Sequence, residues 1–117
     1  MAYYEIAKLR ERCIGNASDS SQDTLLGNFG AQADAQIDDE IYTVASKNAR
    51  LAALPVLPLT TIPQTIKDCA TDRATAMFFL QQHLVDIHDR YVAASKEAVR
   101  AYVLRLEPDA LIYGSVI

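Results

Sequence analysis

The sequence predicts an all-α fold, a small bundle of three to four helices with an extended proline-containing connector and an extended C-terminal tail. Apolar residues recur three and four positions apart along most of the chain, which is the period of an α-helix. The four prolines lie only at residues 55–63 and at residue 108, so long stretches contain no helix breaker. The length of 117 residues suits one domain. We therefore predict a helical domain over residues 1–107 and a tail over 108–117.

A short first helix is predicted from about Tyr4 to Cys13. Gly15 supplies its stop, and the polar residues 16–21 indicate a loop that ends in a Ser or Asp helix cap. Residues at helical spacing on its apolar face are Ile6, Leu9 and Cys13.

A long second helix is predicted from about Gln22 to Ser46. Gly27 and Gly30 lie inside it, where each costs about 1 kcal/mol relative to alanine. These glycines indicate either close packing or a break in the helix. One apolar stripe runs along it through Leu26, Phe29, Ala33, Ile37, Ile41 and Val44.

A proline-containing connector is predicted over residues 51–62, and Pro63 suits the first turn of the next helix. Thr61 or its neighbour is the expected cap of that helix. The following stretch fits one very long helix or two, and we favour two with a junction near 86–89, because Asp86 or Asp89 can cap the second. A heptad-like seam connects Met77, Leu80, Leu84, Ile87, Tyr91, Ala94, Ala98 and Ala101.

A second apolar stripe repeats every seven residues beside this seam. Together the two stripes make a surface wider than one helix needs for its own bundle. The members of the second stripe are Phe78, Val85, Val92, Val99 and Leu106.

The C-terminal tail is apolar and rich in residues that favour strands. Such a segment aggregates if left loose, so we expect it to dock. It either folds back onto its own bundle or adds to the sheet edge or groove of a partner. Its anchoring side chains are Leu111, Ile112, Tyr113, Val116 and Ile117.

The charge distribution disfavours nucleic-acid binding as the main activity, because the net charge is -4. No Lys or Arg occurs from Ala17 through Ser46. An acidic face on the second helix is either simply solvated, or repels a polyanion or meets a basic partner. It comprises Asp34, Asp38, Asp39 and Glu40.

The sequence does not predict an enzyme, a cofactor or a metal site. His83 and His88, the only histidines, lie about 140° apart on a helix and cannot bind one metal from one face. No GxSxG, GxGxxG or P-loop motif occurs. We expect Cys13 and Cys69 to be reduced thiols, since their spacing is not that of a metal site.

No signal peptide or membrane helix is predicted, which favours a cytoplasmic protein. The first residues lack a basic start followed by an apolar stretch. The longest uncharged run, residues 51–66, is shorter than a membrane helix and contains three prolines.

An ordered pattern of residues runs from the second predicted helix to the third. It consists of Ile37-Asp38 with Ile41, then Leu57-Pro58-Leu59, then Pro63 with Ile66, Asp72 and Ala74. This pattern resembles that of the head-to-tail connector proteins of tailed bacteriophages, also called adaptor or head-completion proteins. The resemblance covers roughly Tyr3 to Leu106. The chain differs from the pattern just before Leu57, where members often carry an aromatic or basic residue.

The resemblance implies a structural protein of the virion neck that is made in the host cytoplasm. Members form a ring, usually of twelve copies, beneath the portal, where it extends the DNA channel and docks the stopper or tail-completion protein. The second apolar stripe would then contact the neighbouring subunit. The acidic face would line a channel through which DNA passes without specific binding, and the tail would anchor the ring to the portal.

Two other functions remain open at the level of the sequence. A cytosolic helical regulator or antitoxin-like module would dimerise through the seam from Met77 to Ala101. An enzyme would use His83, His88 and nearby carboxylates, with uptake of a metal.

Overall fold

A computed structural model describes residues 2–47 and 57–116, with side chains as far as Arg105, and these residues form four α-helices and no strand. The predicted all-α bundle is therefore confirmed. The helices are α1 (Ile6–Ile14), α2 (Asp23–Ser46), α3 (Gln64–Gln81) and α4 (Val85–Val116).

Both N-terminal helices lie close to their predicted positions. α1 ends at Gly15, whose left-handed backbone (φ 87°) lets its N–H donate to the carbonyl oxygens of Arg10 and Glu11 at 3.1 and 3.0 Å. The predicted Ser or Asp cap of α2 is wrong. Gln22 occupies that position without a side-chain cap, while Asp19 accepts the Ser21 N–H at 2.9 Å inside the preceding loop.

Gly30 allows Tyr4 to pack against α2. A Cβ built on Gly30 would lie 2.5 Å from two atoms of the Tyr4 ring, whereas one on Gly27 would lie 3.6 Å from the Tyr4 hydroxyl oxygen. An added Cβ at Gly30 would therefore clash with the Tyr4 ring, whereas one at Gly27 would make an ordinary contact. Of the two readings of these glycines, close packing is therefore correct, and only Gly30 requires it.

We expect Gly30→Ala to lower the free energy of unfolding by about 1–2 kcal/mol, because displacing the Tyr4 ring costs more than the helix gains. Gly27→Ala is the matched control and should raise stability by up to about 1 kcal/mol. Urea unfolding followed by circular dichroism measures both. Equal effects of the two substitutions would contradict the packing role of Gly30.

The third helix begins directly after Pro63. Pro63 is the cap residue itself, and its carbonyl oxygen accepts the N–H groups of Ile66 and Lys67 at 3.0 and 3.1 Å. The prediction of Thr61 as the cap is thus wrong. Residues 57–62 are neither helix nor strand, and the rest of the predicted connector, 51–56, lies outside the described residues.

The junction between α3 and α4 is a turn of three residues, 82–84, so the preference for two helices is confirmed but the junction lies earlier than predicted. His83 adopts a left-handed backbone there (φ 63°). Asp86 falls in the first turn of α4 and Asp89 in the second, so neither aspartate caps it.

α4 continues through Val116 and so includes residues for which the sequence predicts an extended tail. Their side chains, from Leu106 onward, and all of Ile117 lie outside the described part of the structure. The docking of the tail therefore stays a prediction.

The core surrounds α3, which contacts α1, α2 and α4. One cluster lies near the start of α3 and the middle of α4. The other lies between α1, α2 and α3. Val99 is 1% exposed within the first cluster, so it packs inside its own chain and not on the predicted subunit interface. The first cluster contains Tyr3, Ile37, Ile41, Ala45, Ile66, Cys69, Ala70, Val99 and Val103, and the second Leu9, Leu26, Ala33 and Ala74.

Candidate functional site

Some of the residues that carry the family resemblance lie in the core cluster that contains Tyr3, and two of them contact its hydroxyl. This buried hydroxyl donates to Oδ1 of Asp38 on α2 at 2.5 Å and accepts the backbone N–H of Leu59 at 2.7 Å. Leu57 and Leu59 pack on the core cluster that contains Ile37 and Ile66. Burial and the hydrogen bond to Asp38 raise the pKa of Tyr3, which keeps the hydroxyl protonated. The part of the pattern formed by Ile37, Asp38, Leu57, Leu59 and Ile66 is thus gathered in one cluster with Tyr3, which we call the Tyr3 hub.

Three of the four predicted acidic-face residues make contacts within the chain. Asp34 accepts the backbone N–H groups of Tyr3 and Tyr4 at 3.1 and 3.3 Å, and Asp38 accepts the Tyr3 hydroxyl. Burial raises the pKa of Asp34, although the two N–H donors oppose that shift. Of these four residues, only Asp39 is in the exposed class and has no hydrogen bond or ion pair among the described residues.

Glu40 belongs to a network centred on Arg73, which the sequence analysis missed. The Arg73 side chain is 4% exposed. Its Nη2 donates to Oε1 of Glu40 at 2.8 Å and its Nη1 to Oε1 of Gln36 at 3.0 Å, with a second bond from Nη1 to Glu40. Its Nε donates to Oγ of Ser95 at 2.9 Å. Arg73 thereby ties α2 and α4 to α3. In the sequence, its position between Ala70 and Ala74 was the one indication that this arginine is buried.

The predicted subunit-interface residues are not on one exposed surface. Phe78 is half-buried, with its ring 5.5 Å from that of Phe79, and Val92 is also half-buried. Val85 is half exposed. Val99 belongs to the core, as described above, and the side chain of Leu106 lies outside the described residues.

An apolar surface at the α3–α4 turn is the most exposed group of large aliphatic side chains in the described residues. Leu80, Leu84 and Val85 are 45%, 45% and 51% exposed. The sequence placed Leu80 and Leu84 in a continuous buried seam, and the turn at 82–84 interrupts that seam. We call the surface formed by Leu80, Leu84, Val85 and the half-buried Ile87 the corner patch. Large exposed apolar groups in contact with one another are typical of an interaction surface.

Three grooves adjoin the corner patch. The largest, about 660 Å³, lies between α2, α3 and α4 and is lined partly by Leu80 and Val92. The second, about 460 Å³, lies beside the stacked rings of Phe79 and Tyr91, whose centroids are 6.2 Å apart. The third, about 430 Å³, is lined by His83, Leu84, Val85, Asp86, Ile87 and Arg90.

The described residues offer little for chemistry. They contain no group of three or more His, Cys, Asp or Glu side chains that would hold a metal ion. His88 contacts Asp89, with Nδ1 2.9 Å from Oδ1, and His83 lies in the exposed turn. Cys69 is buried and Cys13 half-buried, both are free, and burial raises the pKa of each thiol to about 11.

No protein-family model, curated protein or solved structure matches this chain. Among the described residues, no helix is long and apolar enough to cross a membrane. The Tyr3 hub and the corner patch are the features of the described residues that bear on function.

Proposed function

We propose that this chain is a structural protein of a bacteriophage neck, a head-to-tail adaptor that forms a ring under the portal. The ring, of twelve copies in the usual arrangement, extends the DNA channel and docks the stopper or tail-completion protein. The observation that carries the proposal is the Tyr3 hub. Asp38 and Leu59, from separate parts of the pattern that resembles connector proteins, bind one hydroxyl here, and Ile37, Leu57 and Ile66 pack in the same cluster.

The exposed apolar surface supports an assembly role. Val85 from the predicted interface stripe remains exposed, together with Leu80 and Leu84. A ring subunit can bury such a group of exposed aliphatic side chains against its neighbour. A metal or cofactor plays no part in this function.

The C-terminal tail is the proposed anchor to the portal. A proline has no N–H to donate and costs about 3 kcal/mol in a helix interior. We therefore propose that the segment from Pro108 onward pairs with a portal groove in an extended conformation. An extended connector before Leu57 is part of the same proposal.

The acidic face of α2 is the proposed channel surface. It carries Asp34, Asp38, Asp39 and Glu40, and no Lys or Arg occurs on that helix. If this face borders the lumen, it repels the DNA backbone, so that DNA passes without being held.

Removal of Leu111–Ile117 tests the portal anchor. We expect the truncated chain to keep the helical circular dichroism of α1, α2 and α3 and to lose binding to immobilised portal. Ser115→Ala is the matched control, because it alters the same segment without removing an apolar anchor, and it should bind normally. Undiminished portal binding by the truncated chain would exclude the tail as the anchor.

A further inference from the structure

The groove beside the corner patch contains an unpaired charge. Arg90 lines it next to Ile87, is exposed, and forms no ion pair or hydrogen bond among the described residues. Leu84 and Val85 form its apolar wall, and Asp86 also lines it. An exposed guanidinium beside apolar side chains favours a partner that presents an apolar or aromatic side chain beside a carboxylate.

α2 presents such a pair on the far side of the largest groove, which Asp39 and Leu80 both line. Tyr42 is the most exposed of the large apolar side chains described, at 53%. Asp39 lies three residues earlier, so the two side chains are neighbours on the helix surface. Like Arg90, Asp39 has no ion partner among the described residues. We call these two residues the Tyr42 patch.

We propose that the Tyr42 patch of one copy docks on the corner patch of a second copy, with Tyr42 against Leu84 and Val85 and Asp39 paired with Arg90. The charges are complementary and both are otherwise unpaired, and tyrosine is the side chain that most often anchors such contacts. This contact deepens the proposed function, since it rests on the chain being a ring subunit and names the surfaces that join the subunits.

The contact joins two different surfaces and is therefore heterologous. Glu40, next to Asp39, binds Arg73, which lies eight residues before the end of α3. At about 1.5 Å per residue, the Tyr42 patch is thus on the order of 12 Å along the bundle from the corner patch. A contact between distinct surfaces repeats from copy to copy and closes into a ring when the rotation between copies permits.

Sedimentation velocity of the full-length chain over a range of concentrations tests this contact without portal. We expect wild type to form oligomers that grow with concentration. Val85→Glu and Tyr42→Glu should each weaken association by at least about tenfold, because each places a charge in the apolar part of the contact. Ala93→Glu on α4 and Ala31→Glu on α2 are matched controls, since both positions are exposed and outside the two patches.

A mixture of the two defective variants identifies the head-to-tail arrangement. Each variant retains one intact patch, so equal amounts of Val85→Glu and Tyr42→Glu should form a 1:1 dimer and nothing larger. Likewise, Asp39→Arg mixed with Arg90→Asp should associate more tightly than either variant alone, because the reversed charges pair across the contact.

Three results would overturn the proposal. They are a wild-type chain that remains monomeric at about 1 mM, a wild-type dimer that does not grow with concentration, and a mixture of Val85→Glu with Tyr42→Glu that stays monomeric. Because portal is absent, these results concern the subunit contact alone. Failure of the neck function would appear separately, as a chain that self-associates and yet forms no ring on portal.

Discussion

Replacement of Arg73 by methionine is expected to lower the free energy of unfolding by about 3–5 kcal/mol, which is the largest single effect that the structure predicts. The substitution keeps much of the side-chain length but removes the cation. Glu40, which is 24% exposed, would lose its only ion partner among the described residues, and Gln36 and Ser95 would each lose a donor. Urea unfolding followed by circular dichroism measures the loss.

A second substitution separates the charge effect from a simple packing effect. Once Arg73 is gone, Glu40→Leu removes the unpaired carboxylate, and the double variant should recover at least half of the lost stability, since an apolar replacement of a buried pair is often nearly neutral. A cost below about 1 kcal/mol for Arg73→Met alone would show that the network does not hold α2 and α4 on α3.

Leu26→Ala is expected to cost about 2–5 kcal/mol, the second large effect, because it leaves a cavity in the cluster between α1, α2 and α3. Leu26 is fully buried there, beside Leu9 and Ala74. Leu84→Ala is the matched control with the same chemical change. Leu84 belongs to the exposed corner patch, so its truncation should cost less than about 1 kcal/mol.

Comparing the stabilities of these two variants also tests where Leu84 lies, because the sequence predicts it in a buried seam and the structure exposes it. If Leu84→Ala destabilises the isolated chain as strongly as Leu26→Ala does, Leu84 is part of the core and the corner patch is not a free surface. If it leaves unfolding unchanged and weakens self-association, the residue belongs to the subunit contact.

Helix positions were predictable from the sequence because their signals are local. The stripe from Leu26 to Val44 and the stop at Gly15 define α2 and the end of α1 through spacing and backbone preference alone. The α3–α4 junction was misplaced, because aspartate side chains at 86 and 89 resembled caps. The turn instead forms at 82–84, with His83 in a left-handed conformation that no glycine marks.

The networks that hold the helices together were not predictable, because their partners are distant in the sequence. Arg73 and Glu40 are 33 residues apart, and Tyr3 and Leu59 are 56 apart. The acidic residues of α2 looked equivalent in sequence. Only packing distinguishes Asp34, Asp38 and Glu40, which bind groups of their own chain, from Asp39, which does not.

Exposure of the corner patch likewise depends on tertiary structure. Leu80 and Val85 follow the same helical spacing as buried residues such as Val99, so their pattern alone predicts burial. They become exposed because α4 turns back along α3 and leaves the outer side of the turn uncovered by the other described helices.

Electron cryo-microscopy of portal incubated with the full-length chain tests the central claim most directly. The proposed function predicts an added ring on the portal axis, of twelve copies in the usual arrangement, with an open channel continuous with that of the portal. Its subunits should touch through the Tyr42 patch and the corner patch, and their C-terminal segments should enter the portal. Portal particles that carry no added ring, in the presence of folded chain in excess, would contradict the account.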